Sequence, residues 1–250
     1  MFFERINDLH VGRFLPFFSN PSIIHGISTR KGGVSRPPYE SLNLGENVGD
    51  SSCCVKENRR KFFSSLGISV KDIAFPVQVH GDVVRYARRP GTFPKTDGLV
   101  TNISNIVLTV QTADCLPVFI FDSVHMAVGL IHVGWRGCVK KITLRALDKM
   151  YSEFGSNPGD LNIVFGPSIR SCCYEVGDEL TRLFPSGYVD NGHLDICLFN
   201  RDLLVKGGVR PENITATRVC TCCHQEWFFS HRASGGRTGR MIAFLALVSN

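Results

Sequence analysis

No apolar run in this 250-residue chain approaches the roughly 18–20 residues that a membrane-spanning helix needs. The N-terminal segment Met1-Phe-Phe-Glu-Arg-Ile-Asn-Asp8 brings charges where a secretory signal would need its apolar stretch, so the expected compartment is the cytoplasm. Low-complexity tracts, long linkers and internal repeats are missing as well. Charged residues make up only 20% and hydrophobic residues 43%, a balance that excludes disorder as the main state. Histidine is scarce, at 8, and His10, His25, His125 and His193 show no clustering. A multicopper oxidase needs many histidine ligands, so that reading is physically weak. The net charge is only +6, spread along the chain. Such an excess favours small anionic ligands such as phosphate and does not imply nucleic acid. The tract Arg232-Ala-Ser-Gly-Gly-Arg-Thr-Gly-Arg240 accordingly reads as a loop feeding an apolar strand rather than as an RNA-binding tail.

Cysteine, by contrast, is plentiful, at 10 residues, with three adjacent pairs at Cys53-Cys54, Cys172-Cys173 and Cys222-Cys223. Adjacent cysteines pair poorly with each other, and a reducing cytosol is expected, so most are read as small buried hydrophobes. The cluster Cys220-Thr-Cys222-Cys223-His224 has the look of a structural zinc site. No second Cys/His pair follows it at finger spacing, and the packed reading is preferred.

Short β-like runs alternate with a few helices, which predicts a single α/β domain over residues 1–250, a mixed sheet core flanked by helices. The strongest strands are Ala74–Val79, Ile106–Thr112, Leu116–Phe121, Met126–Val133, Leu161–Phe165 and Met241–Val248. Helices are predicted over Val55–Leu66, closed by Gly67, over Val139–Phe154, closed by Gly155, and over a short stretch near Asn200–Lys206. Cys115 then falls in the turn between two core strands, and His125 in the next hairpin turn, as a surface histidine.

Three segments put a ligand-type side chain at a strand end: Gln78-Val-His80-Gly81, Thr112-Ala-Asp114-Cys115-Leu-Pro117 and His132-Val-Gly134-Trp135-Arg136-Gly137. Their wide separation excludes a zinc-finger loop and suits a catalytic metal site, whose ligands arrive from different strands. Two imidazoles and a thiolate make a good zinc set, with a fourth position left for water, and Asp114 is placed to shuttle its proton. The alternative for each histidine is a satisfied core residue. Cu(II) could also occupy such a site, since copper outcompetes zinc at most nitrogen and sulfur ligands.

The ordered series of motifs resembles the laccase-domain (YfiH-like) family, also described as polyphenol oxidases and as purine nucleoside phosphorylases. It runs through His25-Gly-Ile-Ser-Thr-Arg30-Lys-Gly-Gly33, Ser41-Leu-Asn43-Leu-Gly45, Glu57-Asn58-Arg59 and the three segments above. It continues through Phe165-Gly-Pro-Ser168-Ile, Tyr174-Glu175-Val-Gly177, Phe228-Phe-Ser-His-Arg232 and Thr238-Gly-Arg240. The resemblance implies one α/β domain with a mononuclear metal site at His80, Cys115 and His132. It implies phosphorolysis of adenosine, inosine or methylthioadenosine, with some adenosine deamination. Ser168 stands where the family often has Cys, and His231-Arg232-Ala233 stands where it has Tyr-Arg-Arg, leaving one arginine fewer for phosphate.

Within that reading Arg136 and Arg30 are the candidates for holding phosphate. The alternatives are a helix-start residue for Arg136 and a solvated loop charge for Arg30. The substrate-binding set expected is Arg30, Asn43, Gln78, Ser168, Tyr174 and Arg232, with Asp114 and Arg136 catalytic. Asn43 could instead terminate a turn, Trp135 could stack on a purine or pack in the core, and Tyr174 could line the pocket or cap a helix. Two other classes stay open: a metal-dependent hydrolase editing cell-wall precursors, and a structural zinc protein whose fourth ligand would come from Cys138, Cys172 or Cys173. The partners expected are purine nucleosides and phosphate, with neither nucleic acid nor membrane, in a monomer or a homodimer.

Overall fold

A computed structural model describes residues 1–248. In chain order the first strands are β1 (Phe2–Ile6), β2 (Leu9–Arg13), β3 (Ile23–Ser28), β4 (Ile73–Pro76), β5 (Val84–Tyr86), β6 (Gly91–Phe93) and β7 (Gly98–Thr101). There follow β8 (Val107–Thr112), β9 (Leu116–Asp122), β10 (Ala127–Val133), β11 (Leu161–Phe165), β12 (Val189–Asp190), β13 (His193–Leu194), β14 (Ile214–Ala216) and β15 (Met241–Leu247). The α-helices are α1 (Leu15–Phe18), α2 (Ser52–Ser65), α3 (Trp135–Val139), α4 (Ile142–Phe154), α5 (Asp178–Thr181) and α6 (Ile196–Lys206).

The strands form two large mixed sheets, ordered β1-β2-β3-β15-β8-β4-β6 and β14-β11-β9-β10-β7-β5, plus the small β12-β13 ribbon. Side-chain alternation explains how they stack. In β15, Met241, Ala243, Leu245 and Leu247 join Phe119, Phe121, Val128 and Leu130 of the second sheet in one core cluster. Ile242, Phe244 and Ala246, on the opposite face, pack with Phe62 and Phe63 of α2. The outer face of the second sheet packs through Val118, Ile120 and Ile131 against Ala146 and Met150 of α4 and Leu204 of α6. The result is a four-layer α/β/β/α single-domain fold. The core is therefore two sheets face to face, where the sequence pattern suggested one.

Strands β9, β10 and β15 are buried at every position, which is why they read as continuous apolar runs. The N-terminal strands β1–β3 and the short β5–β7 carried no such signal. The predicted strand Ala74–Val79 stops at Pro76, because residues 77–81 leave the sheet to carry His80. The predicted helix Val139–Phe154 is two helices, broken where Lys141 takes a left-handed backbone, φ 58°. Helix α6 starts at Ile196, earlier than predicted, because the Asp195 carboxylate accepts from the N–H groups of Cys197 and Leu198. No helix among the described residues is long and apolar enough to cross a membrane.

Candidate metal centre

The chain passes from one large sheet to the other between β8 and β9, and Asp114 and Cys115 form that passage. His132 lies near the end of β10, and His80 sits in the loop after β4. The ligand atoms of His80, Cys115 and His132 all lie within 4.8 Å of one another. That is close to the span bridged by one ion with bonds of about 2.0–2.3 Å. His132 is buried, Cys115 half-buried and His80 exposed, so the group opens to solvent on the His80 side. No fourth His, Cys, Asp or Glu joins it among the described residues. His80 and Asp114 both hold left-handed backbones, φ 57° and 87°, conformations that L-residues other than Gly rarely adopt.

The electrostatics suit a soft divalent ion. Burial works against ionising Cys115, but the His132 charge and hydrogen bonds with His132 and His80 outweigh it and hold the thiol at about 6. Burial would likewise lower His132, yet the Cys115 charge and the hydrogen bond to Asp97 raise it to about 9. Both shifts favour the thiolate–imidazolium form of this pair. A thiolate and two imidazoles are the donors a zinc-type ion takes.

Asp97, which nothing in the sequence pattern singled out, organises the group. Its fully buried carboxylate lies 2.9 Å from Nδ1 of His132 and accepts from the N–H groups of Val79, His80 and Gly81 at 3.2, 2.9 and 2.7 Å. Burial would raise its pKa, and the bonds from His132, Gly81 and Val79 together lower it. With Nδ1 engaged, His132 presents Nε2 to an ion.

The group faces a cavity of about 980 Å³, within the range of small-molecule sites. Arg59, Arg136, Arg232 and Arg240 line it, as do Gln78, Asp114, Trp135 and Tyr174. The Arg136 guanidinium lies over the Trp135 ring, 4.0 Å from its centroid. Arg59 binds the Leu44 carbonyl and Glu46, while its buried Nη2 has no hydrogen-bond partner among the described residues. Arg240 donates to the carbonyls of Thr238 and Gly239. Arg59 and Arg240 were missed as site residues, although both fall within the motifs that carry the family resemblance.

The other predicted residues divide sharply. Gln78 is on the cavity wall, but its amide exchanges two hydrogen bonds with the Gln111 backbone. Asp114 is buried beside Cys115 and accepts from Thr221 Oγ1, Ser230 Oγ and the Arg232 N–H at 2.6, 3.0 and 2.7 Å. Those donors occupy three of its roughly four acceptor sites. Tyr174 and Arg232 face each other, the guanidinium carbon 5.4 Å from the ring. Burial, then the Cys115 charge, push the Tyr174 hydroxyl above its ordinary pKa.

Arg30, Asn43 and Ser168 are not among the residues that line this cavity. Arg30 donates to the carbonyls of Glu40 and Gln225 and stacks on Phe229. Asn43 is fully buried and spends its amide on Gly45, Asp50 and Arg240, as a turn-forming residue does. Ser168 is buried and contacts Cys197. Cys138, offered as a fourth ligand, is also buried and takes a hydrogen bond from Asn200; burial pushes its thiol up to about 12.

The fold and this group together define a class: an α/β protein with a His/Cys/His group able to hold a soft metal ion at the rim of a large cavity. The model of the family described as multi-copper polyphenol oxidoreductase laccase matches residues 24–248, and the chain belongs to that family. A purine nucleoside phosphorylase of Bacillus subtilis (strain 168), YlmD, is 35% identical over 250 residues, covering 92% of this chain and 90% of the relative. Adenosine deaminase RL5, from an unknown prokaryotic organism, is 30% identical over 249 residues, covering 90% of this chain and 95% of the relative. The crystal structure of a Bacillus licheniformis hypothetical protein, YfiH, superposes with a TM-score of 0.90 at 33% identity, over 98% of each chain.

Proposed function

We propose that this chain is a zinc-dependent purine nucleoside phosphorylase acting on adenosine, inosine and methylthioadenosine, with adenosine deamination as a second activity of the same cavity. The observation that carries this reading is the opening of the His80–Cys115–His132 group onto a cavity lined by four arginines. The activity named for the Bacillus subtilis relative supports the phosphorylase, and that of the prokaryotic deaminase supports the second activity.

In phosphorolysis a phosphate oxygen bonds to the sugar carbon that carries the base, and the carbon–nitrogen bond to the purine breaks. The electron pair leaves with the base, which takes up a proton. A dianionic nucleophile must be held beside a carbon that becomes positive, and guanidinium forks do this well. Arg136, free of any ion pair among the described residues, is the first candidate, with Arg59 and Arg240 deeper in the wall. The Tyr174 hydroxyl, kept protonated by burial, is a neutral donor toward the purine edge. Trp135 offers an aromatic face. Asp114 holds the turn that presents Cys115, and its remaining acceptor site lies at Oδ1. Zinc, when bound by His80, Cys115 and His132, would supply a Lewis acid to a substrate oxygen or nitrogen. Deamination would add water at the amino-bearing carbon of adenine and release ammonia.

The test is product analysis. Adenosine, and in parallel inosine and methylthioadenosine, are incubated with the metal-assayed protein, with and without phosphate, beside a Cys115→Ala variant. Free adenine formed only with phosphate, and lost in the variant, supports phosphorolysis; inosine in both tubes supports deamination. Survival of all three nucleosides with zinc bound would sink the proposal and favour a hydrolase of another substrate.

A further inference from the structure

The cysteines read from sequence as buried packing residues are not all buried, and four of them meet. The sulfurs of Cys172, Cys173, Cys220 and Cys223 all lie within 4.8 Å of one another, with Cys172 and Cys223 exposed, Cys173 half-buried and Cys220 buried. We infer that these four thiols form a second metal site, a closed tetrathiolate that takes one zinc-type ion and is separate from the His80–Cys115–His132 group.

The topology explains the meeting. Strands β11 and β14 run parallel, pairing Ile163 with Ile214 and Phe165 with Ala216. Both segments leave the sheet in the same direction and stay together, through the Ser168–Cys220 bridge and the Thr221 N–H to Ser168 carbonyl bond of 3.1 Å. Each then turns, and each turn carries a cysteine pair. The two segments stay nearly in step: paired strand residues are 51 apart in sequence, Ser168 and Cys220 are 52 apart, and Cys172 and Cys223 are again 51 apart. The missing second pair of the Cys220-Thr-Cys222-Cys223 sequence is therefore supplied by the neighbouring parallel segment, which no finger-type spacing would reveal.

Distance and chemistry agree with an ion. The Cys223 sulfur lies 3.6 Å from that of Cys172 and 3.3 Å from that of Cys173. Tetrahedral zinc with bonds of about 2.3 Å places its sulfurs about 3.8 Å apart, whereas a disulfide brings them to about 2.05 Å. Four thiolates this close would repel strongly, and a divalent cation would relieve that repulsion. The two exposed sulfurs leave an entry path from solvent.

Such a clamp would tie the segment that brings Tyr174 to the cavity wall to the Cys220–Cys223 turn behind it. Tyr174 follows Cys173 directly, and the Arg232 guanidinium donates to the Cys173 carbonyl at 3.3 Å. Thr221, between two of the cysteines, donates to Asp114. The ion's role is thus structural, holding Tyr174 and Arg232 in place.

The experiment separates the two sites. A His80→Ala/Cys115→Ala variant is loaded with zinc, or with cobalt(II) as a spectroscopic probe, dialysed, and analysed by native mass spectrometry. One retained ion per chain is expected, with the intense near-ultraviolet absorption of cobalt–thiolate bonds; adding Cys172→Ser and Cys223→Ser should abolish both. No retained ion in the first variant, or an ion persisting in the second, overturns the inference. A measurement on the unmodified chain guards against misfolded variants. Alkylation of Cys172, Cys173, Cys220 and Cys223 should be suppressed by zinc and restored by a chelator, while Cys53 and Cys54 label equally in both. Equal labelling of all six, or a Cys173–Cys223 disulfide in protein purified without air, would equally reject the site.

Discussion

The Asp97 carboxylate lies 2.9 Å from Nδ1 of His132 and, through three backbone N–H groups, also grips the loop that bears His80. One buried side chain thus orients two of the three candidate ligands. Asp97→Asn keeps the shape but removes the charge that supports the imidazole. Loss of such a partner weakens metal binding by about 10–100-fold. Chelator competition on the folded variant checks this, and unchanged affinity would dismiss Asp97 as an organiser of the site.

Metal uptake should release protons with a definite pH dependence. Between about 6 and 9 the Cys115–His132 pair retains one proton, and binding requires the thiolate with a neutral imidazole. Affinity therefore climbs with pH through this window, and the pair gives up about one proton per ion near neutrality. Titration calorimetry in buffers of differing ionisation enthalpy measures that number. A Cys115→Ser variant should release fewer protons, because it has no thiol proton to give and the Cys115 charge that raises His132 is gone; the same release from both proteins would refute the pairing.

Arg136→Gln should act on phosphate rather than on the nucleoside. A hydrogen bond to a charged group contributes about 1.5–3 kcal/mol, so kcat/KM for phosphate should fall about 10–100-fold. Nucleoside KM should change little. Kinetics with phosphate varied at saturating adenosine decide it, and an unaltered phosphate dependence would remove Arg136 from the anion site.

Gly134 approaches the ligands closely. A Cβ there would lie 3.1 Å from Cδ2 of His80 and 3.2 Å from the Cys115 sulfur, on a backbone that any residue can adopt. Gly134→Ala should fold with a nearly unchanged Tm in the metal-free form, yet hold the ion more weakly because both ligands must shift. Tight binding in the variant would mean that the loop bearing His80 yields freely.

His25 should make the fold acid-sensitive. It is 2% exposed, accepts the Phe14 N–H at Nε2 and sits between the rings of Phe14 and Phe17. Burial, then the Arg13 charge, lower its pKa from 6.5 to about 4. Between these values the unfolded chain binds a proton that the folded chain refuses. Stability from this group therefore falls as pH drops below 6.5 and levels off below about 4, a loss of about 3 kcal/mol. Urea unfolding at pH 7 and pH 5 should show a smaller difference for His25→Asn than for the unmodified chain. Equal differences would mean that the ring does not stay neutral.

What the sequence determined by itself was whatever depends on local pattern. The strands buried on both faces, β9, β10 and β15, had to be apolar throughout, so they were legible as runs. The meeting of His80, Cys115 and His132 was legible because each sits beside a strand end and a turn-former, and the ordered motifs agreed with it. Arg30, Asn43 and Ser168 look the same in the sequence whether they meet a ligand or the rest of the chain; here Arg30 donates to backbone carbonyls, Asn43 to Asp50 and the Gly45 carbonyl, and Ser168 contacts the Cys197 sulfur. Only the tertiary structure decided the rest. Asp97 looks like any turn aspartate until the fold brings it to His132, 35 residues away. The two cysteine pairs gain a common meaning only from the parallel pairing of β11 with β14, a long-range register that no short spacing encodes. Local propensity acts over a few residues, whereas a site is assembled by contacts between segments whose separation is set by topology.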